Sequence, residues 1–535
     1  MKEFVSHSWI NHNTIEKRDY QESIVKNALQ KNTLCVIPTG LGKTSIAAIV
    51  VAERMKQDFE TVNSGKKLGK NLFSFSGKNE YAKVLFLAPT KPLVNQHFNF
   101  FERVFKVGNE LQAVTGEMDV SKRKEVYEKT DIVFATPQTI RNDLKNCILD
   151  LRLFCLLIVD EAHRSVGNYA YPYVAKKFIE QSRSPLILAL TASPGSNRAK
   201  LKEICDTLFI ENVEIRQRED SDVKDYIKKM NQEIIELELP PELVEIKLLL
   251  EECRLPRLKK LAAWHLNVTE KSSKRQLLYL QQELAKRKSG FSFAAMSTIA
   301  EVIKIDHASL LLGTQSMYSL INYLNKLPND GTKAAERLMK DETFIKAAER
   351  SQELYLKKIE NPKITKLQEI VQKEMKSDKR IIVFVQYRDT ADIIHSSLKD
   401  IPNSRPVIFI GQAKRNVSAR ATSVGASSGR GMNQKEQVDT IRRFKSGEFN
   451  VLIATSIGEE GLDIEETDMV IFYEPVPSEI RSIQRAGRTA RTRPGKVIML
   501  IVKNTVDEIY YWSAHHKKKK MISMLDGMKN SLGKY

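Results

Sequence analysis

Cysteine is scarce and scattered in this 535-residue chain: Cys35, Cys147, Cys155, Cys205 and Cys253 make an odd number with no CxxC pair. The pattern suggests neither a disulfide framework nor a cysteine-built zinc site, and it points to a reducing cytoplasm. Long apolar runs are missing too. No stretch approaches the roughly 18 uninterrupted apolar residues of a membrane span, and the opening MKEFVSHSWINHN has no apolar signal-peptide core. No membrane partner is expected. Acidic residues fall short of basic ones, 66 against 85, leaving a net charge of +19. Such an excess favours a polyanionic partner, nucleic acid first. A lysine-rich solvated surface would give the same bulk number, so motifs must decide.

What is present falls into three textures, and the length predicts more than one core. From about residue 31 to 211, short apolar runs alternate with amphipathic stretches. The strand candidates are 34–39, 83–90, 131–137, 156–163 and 186–193. They are nearly continuous in apolar residues, as strands buried on both faces of a parallel sheet should be. From about 215 to 360 such runs give way to Leu, Lys, Glu, Ala and Gln, which reads as several antiparallel helices. Strand candidates return at 380–386, 405–411, 450–456, 468–475 and 495–502. The division expected is therefore 1–214, an α/β domain; 215–360, an all-α insert; and 361–535, a second α/β domain. Stretches 61–80 and 413–431, rich in Gly, Ser and basic residues, read as loops. KKKK at 517–520 closes a final helix, where cations complement the helix end.

The segment IPTGLGKTSIA (37–47) follows a strand and opens an apolar helix. Thr39, Gly40 and Gly42 form a loop whose amides can cradle phosphate oxygens. Lys43 can reach the β- and γ-phosphates, and Thr44 can ligate Mg²⁺. Ile37 stands where the first Gly of GxxxxGK[ST] belongs, but the strand–turn–helix context is right. VDEAH (159–163) ends a later strand, with Asp160 placed to hold Mg²⁺ and Glu161 to act as general base. His163 is either an interdomain reporter or a plain polar contact. ATP and Mg²⁺ are thus the expected cofactors. The octamer QRAGRTAR (484–491) spaces Arg485, Arg488 and Arg491 by threes. Like charges at helical spacing repel, so an anion between them is the functional reading and a solvated basic face the bland one. Arg488 and Arg491 are candidates to stabilise charge developing on a γ-phosphate, and Gln484 could orient water or phosphate.

In order along the chain, RDYQ (18–21), PTGLGKT (38–44), APTKPLVNQ (88–96), ATPQTI (135–140), VDEAH, TAS (191–193), VFVQYRDT (383–390), ATSIGEEGLDI (454–464) and QRAGRTAR resemble the motifs of superfamily 2 helicases. GRGMNQKEQ (429–437), FYEPVPSEIRSIQRAGRTAR and DEIYYWS (507–513) narrow the resemblance to the archaeal Hef helicases and the related Fanconi anaemia M translocases. It covers essentially the whole chain. It implies two RecA-like parallel-sheet motor domains separated by a thumb-like helical insert. It also implies an ATP-dependent DNA helicase or translocase acting on forked or branched DNA, as in repair of stalled forks. Arg18 and Gln21 would read the adenine, and Gly461 and Asp463 would join the nucleotide contacts. Thr90, Lys91, Thr136, Arg388, Gly411 and Thr455 would contact strand phosphates. Outside the motif context, Thr136 reads as a strand-end turn and Arg388 as a surface charge. Replication or repair proteins such as a sliding clamp or a nuclease are candidate partners, in the cytoplasm beside the nucleoid. No ERK-type nuclease motif is seen, so no nuclease activity is expected.

The stretch 253–290 is strongly basic, and its leucine spacing puts charges outward. It is read either as a solvated face or as a grip on branched DNA, with Trp264 and Tyr279 as packing residues. Two rival readings remain: a duplex-RNA motor of the Dicer and RNA-sensor layout, and a non-catalytic nucleic-acid scaffold. Retention of Lys43, Glu161 and Arg488 disfavours the scaffold. DNA over RNA rests on the resemblance alone.

Overall fold

A computed structural model describes residues 3–65, 83–106, 110–227, 230–287, 289–377, 379–411, 431–455, 467–489 and 494–532. The expected strands form two wholly parallel sheets. The first contains β1 (Thr33–Val36), β2 (Lys83–Leu87), β3 (Leu111–Val114), β4 (Ile132–Ala135), β5 (Phe154–Val159), β6 (Ile187–Thr191) and β7 (Asn212–Ile215), in the order β3-β4-β2-β5-β6-β1-β7. The second contains β8 (Met230–Leu237), β9 (Ile381–Phe384), β10 (Pro406–Phe409), β11 (Val451–Ala454), β12 (Met469–Phe472) and β13 (Gly495–Val502), in the order β10-β11-β9-β12-β13-β8. The central strands are buried at every position, which is why they read as unbroken apolar runs.

β8 corrects the expectation of a strand-free segment from 215. It pairs with β13 as the outer strand of the second sheet. Its sequence, MNQEIIEL, is largely solvent-facing, so it lacks the apolar run that marks a buried strand. The helical block proper holds Pro241–Ala263, Lys274–Ala285, Gly290–Thr314, Met317–Leu324, Lys333–Leu338 and Glu342–Leu356. In the basic stretch, Arg254 and Arg257 do not face outward. They pair with Asp306 at 2.6 Å and with Glu301 and Asp341 at 2.8 and 3.0 Å. Trp264 packs against a core of leucines, but Tyr279 is 65% exposed. It projects away from the face that buries Leu277 and Leu284. The helix Lys43–Gly65 runs into the expected 61–80 loop; 66–80 and 413–430 lie outside the described residues.

The last helix, Val506–Leu532, leaves the second sheet and packs Met521 and Leu525 into the apolar layer of the first. At its start is a buried ionic cluster. Lys363 and Asp507 form an ion pair with both side chains wholly enclosed, and Lys363 Nζ also donates to the Thr314 carbonyl of the helical block at 3.3 Å. Glu474, just past β12, accepts the Gln386 amide. Burial pushes its carboxyl up to about 7, against the opposing pull of Lys363 and Arg485. The folded protein therefore holds this proton more tightly than the unfolded chain does. Between the ordinary glutamate value and pH 7 the group removes stability as pH rises. Glu474→Gln should flatten that part of the profile, as read from urea melts of both proteins at pH 5 and pH 7.5.

Candidate nucleotide and nucleic-acid sites

The functional side chains gather at the C-terminal ends of the parallel strands, where open α/β sheets bind ligands. After β1, the backbone turns through Gly40 and Gly42 at φ 88° and 75°. Gly42 is required twice over, because a Cβ there would also sit 2.5 Å from Gln21 Nε2. Gln21 is buried beneath this loop. Its Nε2 donates to the Leu41 carbonyl at 3.1 Å, and the Tyr20 hydroxyl donates to the same oxygen at 2.7 Å. Gln21 Oε1 is buried without a hydrogen-bond partner. Arg18 lies 5.0 Å over the Tyr226 ring and pairs with Glu16 at 3.0 Å. Lys43 and Thr44 begin the following helix, with Lys43 Nζ 3.4 Å from the Ile37 carbonyl across the loop.

Asp160 follows β5 and is 5% exposed. Burial opposes its ionisation, but His97 and Lys43 more than offset this and hold the carboxyl below the usual carboxylate range. His97 Nε2 lies 2.8 Å from Asp160 Oδ2. Glu161 adopts the left-handed region at φ 50°, a cost of about 1–2 kcal/mol for a residue with a Cβ. His163 Nδ1 is 3.2 Å from Glu161 Oε2 and 3.2 Å from Thr191 Oγ1 at the end of β6. His163 is thus a contact between two strand ends of the first sheet.

The octamer divides into parts with different places. Its helix, Glu479–Ala486, stops before Gly487, so Arg485 and Arg488 do not share one helical face. Arg485 is 1% exposed, with its guanidinium 5.0 and 5.8 Å from the Phe384 and Phe472 rings, inside the second motor domain. Arg488 is buried in the turn that follows, its carbonyl accepting from Thr467 N at 3.1 Å. The Gln484 amide is buried with no hydrogen-bond partner. Arg491, Gly461 and Asp463 lie outside the described residues.

This turn meets the phosphate loop. A Cβ on Gly487 would sit 2.5 Å from Thr39 Oγ1 and 3.1 Å from Thr39 Cβ. The same junction is held by Ser196 N donating to Glu479 Oε1 at 3.1 Å and Ser193 Oγ donating to Met521 Sδ at 3.1 Å. A cavity of about 470 Å³, lined in part by Thr39, Met230, Ile483 and Leu525, lies beside it. Gly487→Ala should push the two motor domains apart and lower ATP turnover at least about tenfold, while the melting temperature stays near that of the parent protein. A steady-state ATPase assay beside a thermal melt checks both.

The nucleic-acid candidates lie at other strand ends: Thr136 after β4, Thr90 and Lys91 after β2, Arg388 after β9, Gly411 after β10 and Thr455 after β11. Thr90 Oγ1 is buried with no hydrogen-bond partner, and Lys91 pairs with Glu117 at 2.5 Å. Thr136 caps the helix Pro137–Lys145 and bonds Thr139 Oγ1 at 2.9 Å. Arg388 Nη2 donates to the Gly411 carbonyl at 2.8 Å, so two of the candidates contact each other. Thr455 N bonds the Phe409 carbonyl at 3.1 Å.

Residues 18–201 match the DEAD/DEAH box helicase family, 362–493 the helicase conserved C-terminal domain, and 242–355 the helical bundle of a putative ATP-dependent RNA helicase family. The solved Hef helicase domain of Pyrococcus furiosus is 38% identical, with a TM-score of 0.67, over 93% of this chain and 98% of that one. The chain belongs to the Hef helicase family. Among curated relatives of this Hef-family chain, a putative ATP-dependent RNA helicase of Methanocaldococcus jannaschii is 41% identical over 98% of the chain. The ATP-dependent DNA helicase fml1 of Schizosaccharomyces pombe is 33% identical over 94%. The match spans 63% and 59% of those two proteins' lengths. Among the described residues, no helix is long and apolar enough to cross a membrane.

His97 and Glu479 were not singled out in the sequence, although His97 had a visible signal. Val94, His97, Phe101 and Val104 form the buried stripe of the helix Lys91–Val104. A polar residue in such a stripe needs a partner.

Proposed function

We propose that this Hef-family chain is an ATP-hydrolysing motor that separates or remodels forked and branched DNA. The observation that carries the motor reading is the meeting of Thr39 with Gly487, which brings the phosphate loop of one domain against the arginine-bearing turn of the other. In this reading ATP lies along the loop after β1, with Arg18 and Gln21 near the base and Lys43 on the phosphates. Glu161 takes a proton from the attacking water as the new oxygen–phosphorus bond forms. The bond from the γ-phosphorus to its bridging oxygen breaks, and ADP and phosphate leave. Arg488 offsets the charge on the transferring group and Gln484 orients the water, and the family resemblance assigns further nucleotide contacts to Arg491, Gly461 and Asp463.

The donor set suits Mg²⁺. Among the described residues no group of three or more His, Cys, Asp and Glu side chains could hold a metal alone. One anionic carboxylate, Asp160, with the Thr44 hydroxyl and substrate phosphates fits a cation that keeps much of its water. When bound, Mg²⁺ would supply charge neutralisation at the phosphates.

Thr90, Lys91, Thr136, Arg388, Gly411 and Thr455 track one strand's backbone without reading sequence. The names of fml1 and of the Neurospora crassa relative mph1 as ATP-dependent DNA helicases support DNA as substrate. The Methanocaldococcus relative's name supports a second reading, a duplex-RNA motor. Strand-separation assays with labelled forked DNA, linear duplex DNA and duplex RNA decide. ATP-dependent opening of the fork in preference to both duplexes is expected; opening of duplex RNA alone would overturn the DNA assignment.

A further inference from the structure

The buried stripe of the helix Lys91–Val104 contains one residue that its packing does not explain. His97 is 6% exposed among aromatic side chains, with its ring 4.5 Å from Phe86, which in turn packs on Phe101 and Phe134. Its Nδ1 is buried with no hydrogen-bond partner. An apolar residue would fill this place without stranding a polar atom, which ordinarily destabilises a core. The other ring nitrogen has a partner: Nε2 is 2.8 Å from Asp160 Oδ2. An ionised carboxylate only accepts, so Nε2 carries the hydrogen and donates it. The Asp160 backbone is fixed as well. Its N–H donates to the Leu87 carbonyl at 2.9 Å, and its own carbonyl accepts from the Tyr171 hydroxyl at 2.6 Å.

We propose that His97 is a positioning residue for Asp160: it engages Oδ2 and so fixes the rotation in which the carboxylate meets the cation that accompanies ATP. The inference rests on the reading of Asp160 as a cation ligand. Three features of the structure support it. The contact is short and enclosed. The ring is held by aromatic packing, so it cannot swing away. The helix that carries it begins at Thr90 and Lys91, about two turns away, so the support for the carboxylate is part of the same rigid element that faces the proposed strand path.

The test uses Mn²⁺ as a spectroscopic probe in place of Mg²⁺ and needs no turnover. Mn²⁺ affinity is measured by electron paramagnetic resonance on the full chain with a non-hydrolysable ATP analogue, for the parent, Asp160→Asn, His97→Ala and His97→Gln. Asp160→Asn should lose Mn²⁺ affinity. His97→Ala should weaken it by about 10- to 100-fold, the range for groups that orient a metal ligand. His97→Gln, whose amide N–H can reach the same oxygen, should recover most of the loss at a melting temperature close to that of His97→Ala. Loss in Asp160→Asn with affinity within twofold in His97→Ala would overturn the role of His97 and leave Asp160's standing. Equal loss in His97→Ala and His97→Gln would also overturn it, by showing that packing, not the donated hydrogen, matters. No loss in Asp160→Asn would overturn the reading beneath it as well.

Discussion

Arg488→Ala should lower ATP turnover about 10³-fold or more, while the affinity for ATP should stay within about threefold, roughly 0.7 kcal/mol. Both halves follow from where Arg488 lies. It belongs to the second motor domain, in the turn beside the Gly487 that touches Thr39. The phosphate loop, Lys43, Arg18 and Gln21 all belong to the first domain and would hold ground-state ATP without it. A group that acts on charge developing in the transition state changes turnover and spares binding. Arg485→Ala should behave differently. Its guanidinium lies enclosed against Phe384 and Phe472, and its charge bears on buried Glu474. Removing it should destabilise the second motor domain, so a thermal melt falls before the kinetics can be read. Turnover and melting temperature of the two variants, side by side, separate a group acting on substrate from one that holds the fold. Normal hydrolysis by Arg488→Ala would remove Arg488 from the mechanism.

Glu161→Gln should lower turnover about 10²- to 10⁴-fold, the contribution expected of a positioned general base. The amide keeps the size and the 3.2 Å approach to His163 but cannot take a proton. The backbone at Glu161 is held in the left-handed region, which aims this side chain at a cost the fold bears. Because the substitution leaves Cβ and shape unchanged, stability should stay within about 0.5 kcal/mol. Single-turnover kinetics check the chemical step directly, and retention of nucleic-acid binding shows that the site is intact. A near-normal rate would mean that another group activates the water.

The two motor domains were legible because buried parallel strands are written as apolar runs. Each of the ten runs read from the sequence overlaps a strand of the two sheets. β3, β7 and β8 escaped because they lie at sheet edges or next to solvent, where LQAV, NVEI and MNQEIIEL mix polar residues into the pattern. The strand–turn–helix setting of 37–47 and the strand end before Asp160 could be read because each signal lies in adjacent residues. The junction could not. Thr39 and Gly487 are far apart in sequence and meet only after both sheets and the last helix have packed. Nor could the octamer's arginines be told apart from spacing, since the helix ends between Arg485 and Arg488. Tyr279 was read as packing because aromatic residues usually are; its position opposite Leu277 and Leu284 on the helix turned it outward.

The most direct test of the motor account is the steady-state ATPase rate of the chain on four substrates: forked DNA, linear duplex DNA, single-stranded DNA and duplex RNA. All are run at one fixed salt concentration, because affinity for polyanions falls steeply as salt rises. Forked DNA should stimulate most strongly and duplex RNA little, with both effects lost in Lys43→Ala. Stimulation chiefly by duplex RNA would contradict the DNA assignment, and a rate indifferent to every nucleic acid would contradict the motor itself.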